Sequence, residues 1–113
     1  MEFVPRKLLF KAWNKETGLL MRLNSIDCKK GELVRTDHIL LQFTGLYDQQ
    51  AEEIYEMDVV LIAGEKFIVF WDAAQSGWGF TAIPRSGTSH RFVKEVSDTA
   101  VRICSYFETR DVT

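Results

Sequence analysis

The chain is short of nearly everything that would mark an enzyme. It has two cysteines, two histidines and two prolines in 113 residues. Cys28 and Cys104 lie far apart and have no second thiol or histidine at metal-ligand spacing. That excludes a zinc finger or a disulfide framework, and points to reduced, partly buried thiols in a cytoplasmic protein. The glycine-rich phosphate loop, the HExxH helix, the nucleophile elbow and paired CxxC sites are all absent. No apolar run approaches the roughly 18 residues needed to cross a bilayer, so no membrane association is expected. The opening Met1-Glu2-Phe3-Val4-Pro5-Arg6-Lys7 lacks the order of a signal peptide, which argues against secretion. No apolar stripe of helical period extends beyond two turns, and there is no internal repeat or low-complexity segment. Helix content should be low.

What is present suits one small globular domain spanning residues 1–113. A chain of this length can bury a core without disulfides or metals. A hydrophobic content of 46% against 27% charged residues argues against disorder. The formal net charge of −2 hides an uneven distribution. Residues 1–35 carry eight Lys or Arg and four Asp or Glu, residues 36–72 carry one and eight, and residues 73–113 carry five and four. The acidic middle disfavours phosphate docking there, while the fold could still bring the two basic ends onto one face.

Short β-branched and aromatic runs dominate the chain. Leu8–Trp13 and Leu19–Leu23 flank an Asn14–Gly18 turn and predict an N-terminal hairpin. Lys29-Lys30-Gly31 marks a turn between Ser25–Cys28 and Glu32–Val34. His38–Phe43 reads as a strand ending at Thr44-Gly45, and residues 47–53 as one potential helical turn. Asp58–Ile62 and Phe67–Trp71, separated by Ala63–Lys66, should pair as neighbours, followed by strands at Trp78–Ile83, His90–Lys94 and Val101–Phe107. The expected fold is mainly β, with an N-terminal β-hairpin region and a C-terminal SH3-like small barrel or curled antiparallel sheet over residues 55–110. Candidate core residues are Val60, Ile62, Ile68, Phe70, Ile103 and Phe107. Continuous apolar runs do not reveal which alternate side chains point inward.

The stretch Leu41–Val60, LQFTGLYDQQAEEIYEMDVV, resembles the YopX family of phage and prophage proteins. That family runs from a hydrophobic strand through TGL, a D-x-N-G turn and IYEGD into a valine-rich strand. Thr44-Gly45-Leu46, Ile54-Tyr55-Glu56 and Asp58 match it, and Leu9-Phe10-Lys11-Ala12-Trp13-Asn14-Lys15-Glu16 is similar to the family's F-R-A-W-D-K-E opening. Met57 stands where glycine is usual, and Gln50-Ala51 replaces Asn-Gly. Glycine and Asn-Gly take positive φ at little cost whereas Met and Ala do not, so a different turn geometry is expected here. The resemblance implies a phage or prophage origin, the cytoplasm of the host cell and oligomeric assembly, and it implies no activity.

Candidate chemistry is thin. Asp48, Glu52, Glu53, Glu56 and Asp58 offer oxygens to a divalent cation but lack the EF-hand spacing and its glycine. The favoured reading is an acidic turn in which Asp58 or Glu56 accepts backbone N–H bonds, with no metal and no cofactor. No spacing pairs His38 or His90 with Cys28 or Cys104 for catalysis. Ser76-Gly77 and Ser86-Gly87 read as turns.

The best binding candidate is Arg85, Ser86, His90 and Arg91, with Lys94 nearby, which could grip a phosphate or carboxylate. Set beside Trp71, Trp78 and Phe80, these groups resemble the equipment of single-strand nucleic-acid binders, although a plain hairpin tip explains them as well. Trp13, Tyr47, Tyr55 and Trp78 are interface candidates, since such rings enrich contact hot spots, and each could equally be core. The expected function is not enzymatic. It is that of a phage or prophage accessory protein, a homo-oligomer that self-associates and engages a host or phage protein. Nucleic-acid binding through residues 85–94 is the alternative, and a small hydrolase a weaker third.

Overall fold

The computed structural model describes residues 2–83 and 87–109. Strands β1 (Phe10–Asn14) and β2 (Leu20–Arg22) form the expected N-terminal hairpin. Asn14 closes its turn, its carbonyl accepting from Gly18 N–H at 2.9 Å and its Oδ1 accepting from the Glu16 and Thr17 amides. β3 (Asp27–Lys29) and β4 (Glu32–Val34) make a second small hairpin. Lys30 and Gly31 turn it at φ 52° and 83°, the paired positive values whose twist suits a two-residue loop.

β5 (His38–Tyr47) runs past the Thr44-Gly45 pair that reads as a stop. That pair builds a bulge instead. Gly45 takes φ 86°, and Thr44 Oγ1 donates to the Ile54 carbonyl at 2.7 Å while accepting from Leu46 N–H at 3.1 Å. Pairing to β6 (Glu53–Tyr55) therefore resumes beyond it, with Tyr47 opposite Glu53. The first sheet has the order β2-β1-β5-β6.

Residues 47–53 form no helical turn. Asp48 Oδ1 captures the Gln50 and Glu52 amides at 2.8 and 2.9 Å, and this local competition with the backbone favours a tight turn over a helix. The expected change of turn geometry is also corrected. Ala51 and Met57 keep left-handed backbone at φ 63° and 67°. Hydrogen bonds hold them there: Ala51 N–H donates to the Asp48 carbonyl, Met57 N–H to the Val69 carbonyl at 2.7 Å, and the Met57 carbonyl accepts from Tyr106 N–H at 2.7 Å.

The second sheet comprises β7 (Asp58–Ile62), β8 (Glu65–Asp72), β9 (Gly77–Ala82), β10 (Ser89–Arg91) and β11 (Val101–Ser105), in the order β10-β9-β8-β7-β11. β7 and β8 pair as anticipated, through Ala63-Gly64 at φ 51° and 81°. β10 and β11 sit at opposite edges, so the sheet curls into a half barrel and stays open. Two helical turns, α1 (Lys94–Ser97) and α2 (Tyr106–Thr109), replace the ends of the strands expected at residues 90–94 and 101–107. A single turn is too short to leave a periodic stripe in the sequence.

Cross-strand partners share a face. Val69 pairs with Phe80, and both join Ile54, Val60, Phe92 and Ala100 in the larger core cluster. A smaller cluster of Trp13, Leu41 and Phe107 ties the N-terminal hairpin to α2, with Trp13 stacked on Phe107 at 5.6 Å. Of the six expected core residues, Val60 and Phe107 are buried, while Ile62, Ile68 and Phe70 are only partly so. Ile103 is 45% exposed. It falls where the β11–β7 register slips between Arg102 and Cys104, so the alternation that would have turned it inward is lost. Cys104 is half-buried, but Cys28 is exposed on β3, contrary to the partly buried expectation, because that hairpin has no layer packed over it.

Candidate functional site

The acidic stretch resolves into two carboxylates committed to the fold. Asp58 is 1% exposed, and its Oδ2 accepts from Tyr55 N–H and from Arg102 Nε, both at 2.8 Å, while Oδ1 accepts from Arg102 Nη2 at 3.4 Å. This is the backbone-accepting role read from the sequence. Burial pushes the Asp58 carboxyl up, against the pull of the Arg102 guanidinium, the Tyr55 amide and Lys11. For Arg102, burial works downward, but the Asp58 hydrogen bond and charge outweigh it and raise the group.

Asp48 holds the backbone of the same β11 residue. Its Oδ2 accepts from Arg102 N–H at 2.7 Å, across 54 positions of sequence. Burial acts to raise this carboxyl, yet the amides of Arg102, Glu52 and Gln50 together lower it. Glu56 is different. Among the described residues its Oε1 accepts only from Gln42 N–H, at 3.3 Å, and burial pushes the acid up. Lys11 lies 4.3 Å over the Tyr55 ring, and burial, then the charge of Arg102, lowers it. Tyr55 O–H donates to Glu53 Oε1, and burial together with that carboxylate pushes the phenol up to about 12. Among the described residues no group of three His, Cys, Asp or Glu side chains is placed to hold a metal ion.

The aromatic candidates separate. Trp13 and Tyr55 lie in the interior, against Phe107 and Phe43 respectively. Tyr47 is exposed, and Trp78 is half-buried with its ring edge-to-face against Trp71 at 5.2 Å. Trp71 is 49% exposed and went unmarked as an interface candidate, although its cross-strand pairing with Trp78 follows from the β8–β9 hairpin. In the candidate binding loop, Arg85 and Ser86 lie outside the described residues. His90 and Arg91 are exposed on the edge strand β10, with the His90 ring 5.5 Å from Phe80. Lys94 Nζ pairs with Asp98 at 2.8 Å on the turn of α1. Burial pushes the Cys104 thiol up, which disfavours a nucleophilic role.

Sequence reasoning missed an apolar groove. Val69 and Phe80 turn one face of the second sheet to the core, so Ile68 and Phe70 on β8 belong to the opposite face. There Met57, Ile68, Phe70, Ile83 and Tyr106 line a concavity of about 430 Å³. Gly79 leaves space for the Phe70 ring: a Cβ at that position would stand 3.4 Å from Phe70 Cζ and 3.2 Å from the His90 carbonyl oxygen. The signal lay in the apolar continuity of β8, which is the pattern of a strand covered on both faces.

A family model described as YopX protein matches residues 10–102. The crystal structure of protein EF1440 from Enterococcus faecalis is similar with a TM-score of 0.67, over 96% of this chain and 99% of that chain, at 14% sequence identity. That likeness shows the fold alone. No curated protein matches the chain.

Proposed function

Because the chain belongs to the YopX family, we propose that it acts by binding and not by catalysis. In this reading it is a phage or prophage accessory protein that self-associates in the host cytoplasm and engages a host or phage protein. The groove of Met57, Ile68, Phe70, Ile83 and Tyr106 carries the proposal. It is a mainly apolar hollow on a sheet face, and of its lining residues Ile83 and Tyr106 are exposed. Apolar patches of this kind on a small domain mark contact surfaces, and a second copy can cover one and gain the burial. The edge strand β2 adds to this, with Met21 exposed on it and Leu19 exposed just before it. The basic first third and acidic middle third also give two copies complementary charge.

Binding is favoured over catalysis because the best carboxylates are already engaged. Asp58 and Asp48 are spent on Arg102 and on backbone amides. For the nucleic-acid alternative, Lys94 is paired with Asp98, which weakens the basic loop. Steep salt dependence of retention on DNA or RNA would revive it.

Light scattering on the eluting protein tests the main reading. The wild type should run above its 13.1 kDa protomer mass, and Phe70→Glu should run at that mass with an unchanged β-type circular dichroism spectrum. Equal masses for the two proteins would sink it.

A further inference from the structure

The β3–β4 hairpin and the segment leading into β5 enclose a second hollow, of about 460 Å³, with a different chemistry. Ser25, Lys29, Arg35, Thr36 and His38 line it, together with Asp27. Among the described residues, Arg35 Nε is the one buried side-chain polar atom that lacks a hydrogen-bond partner. A buried guanidinium N–H without an acceptor is costly, and such an orphan calls for an explanation. No ion pair engages Arg35, Lys29 or Asp27 among the described residues. His38 Nδ1 lies 2.8 Å from the Thr36 carbonyl. A carbonyl can only accept, so the proton sits on Nδ1, and the ring is fixed in place with Nε2 as its remaining polar atom.

We propose that this hollow is a binding site for a compact oxyanion, with a phosphate monoester as the chemistry that fits. Arg35 supplies the central donor, Lys29 a second positive charge, and Ser25 and Thr36 hydroxyls that can donate to the remaining oxygens. Guanidinium recognises phosphate through directed, charge-assisted hydrogen bonds, and no ion pair among the described residues claims the Arg35 head group that lines the hollow. Asp27 on the same wall opposes a bare anion. It suits a phosphate ester that carries a hydroxyl donor beside the phosphoryl group.

The chain's two histidines make the test self-controlled. Ring NMR signals of His38 and His90 are followed while sodium phosphate, and separately glycerol 3-phosphate, replace sodium chloride at constant ionic strength and pH. His38 should shift along a saturable curve, more tightly with glycerol 3-phosphate, while His90 stays put. Arg35→Gln should weaken binding by about tenfold or more. Lys29→Gln, on an exposed strand, should weaken it severalfold without altering the fold. Asp27→Asn should tighten orthophosphate. Parallel, linear drift of both histidines overturns the proposal, as does an Arg35→Gln protein that folds and binds like the wild type. A His38 response to oligothymidylate but to neither small phosphate also overturns it, and would assign the hollow to nucleic acid.

Discussion

Replacing Asp58 with Asn should cost about 3 kcal/mol of folding stability, and the estimate follows from its contacts. The substitution is nearly isosteric, so cavity terms are small. The amide oxygen can take the Oδ2 position and still accept from Tyr55 N–H and Arg102 Nε, but the NH₂ then faces Arg102 Nη2 where Oδ1 accepted it at 3.4 Å, and the charge opposite the guanidinium is gone. Removing one partner of a buried pair typically costs about 3–5 kcal/mol, because the other charge is left uncompensated. The lower end applies here. The Arg102 side chain keeps 17% exposure, and Glu108 stands 4.0 Å from its Nη2 as a partial substitute. At the size of this domain, 3 kcal/mol corresponds to a melting point about 10–15 °C lower. Urea unfolding followed by circular dichroism measures the difference directly, through the midpoint at constant slope. Arg102→Met in the Asp58→Asn background should recover part of the loss, giving a coupling energy of about 2 kcal/mol. An Asp58→Asn protein within about 1 kcal/mol of the wild type would refute the reasoning, since surface pairs have that value and buried ones do not.

The left-handed turn at Ala51 gives a stabilising substitution. Ala51→Gly should raise stability by about 0.5–1 kcal/mol in the same urea assay, whereas Met57→Gly should gain less or lose, because its side chain packs against the cluster of Trp13, Leu41 and Phe107 and lines the groove. Two carboxylates titrate in opposite directions. Asp48 is lowered in the fold, so its contribution is present above the unfolded value near 3.8 and lost as pH falls through the folded one, a loss that Asp48→Asn should abolish in a pH series of unfolding curves. Glu56 is raised, so it penalises the fold as pH climbs past 4.5, and Glu56→Gln should be the more stable protein at pH 7 with the gap closing below pH 4.5. On β8, Val69→Ala should cost about 2–3 kcal/mol and Phe70→Ala about half of that, since Val69 is fully buried and Phe70 only partly; equal costs in urea unfolding would reverse the assignment of faces.

Strand existence was legible where composition and turn chemistry agreed. Lys30-Gly31 and Ala63-Gly64 turn hairpins whose flanking runs are short, those beside Ala63-Gly64 being rich in Val and Ile, and both pairings could be read directly. Facing was not legible along Phe67–Trp71, where every residue is apolar and alternation gives no sign. Ile103 was misplaced for a related reason, because a register slip has no composition of its own. Thr44-Gly45 shows how one signal can mean two things: a glycine after a strand serves a stop or a bulge, and the choice depended on Ile54 offering its carbonyl to Thr44. The Asp48–Arg102 and Asp58–Arg102 contacts join positions 54 and 44 residues apart, a distance at which sequence pattern carries no pairing information. Trp13 and Tyr55 match the family pattern in sequence and lie inside the fold, so the match marks packing positions there.

In the proposed function the open apolar face of the second sheet is a contact between copies. Sedimentation equilibrium of the wild-type protein across a tenfold dilution in the micromolar range tests it most directly. The expected mass is at least two protomers of 13.1 kDa at the upper concentration, collapsing to one protomer when Phe70 is replaced by Glu. A single-protomer mass at every concentration would contradict it.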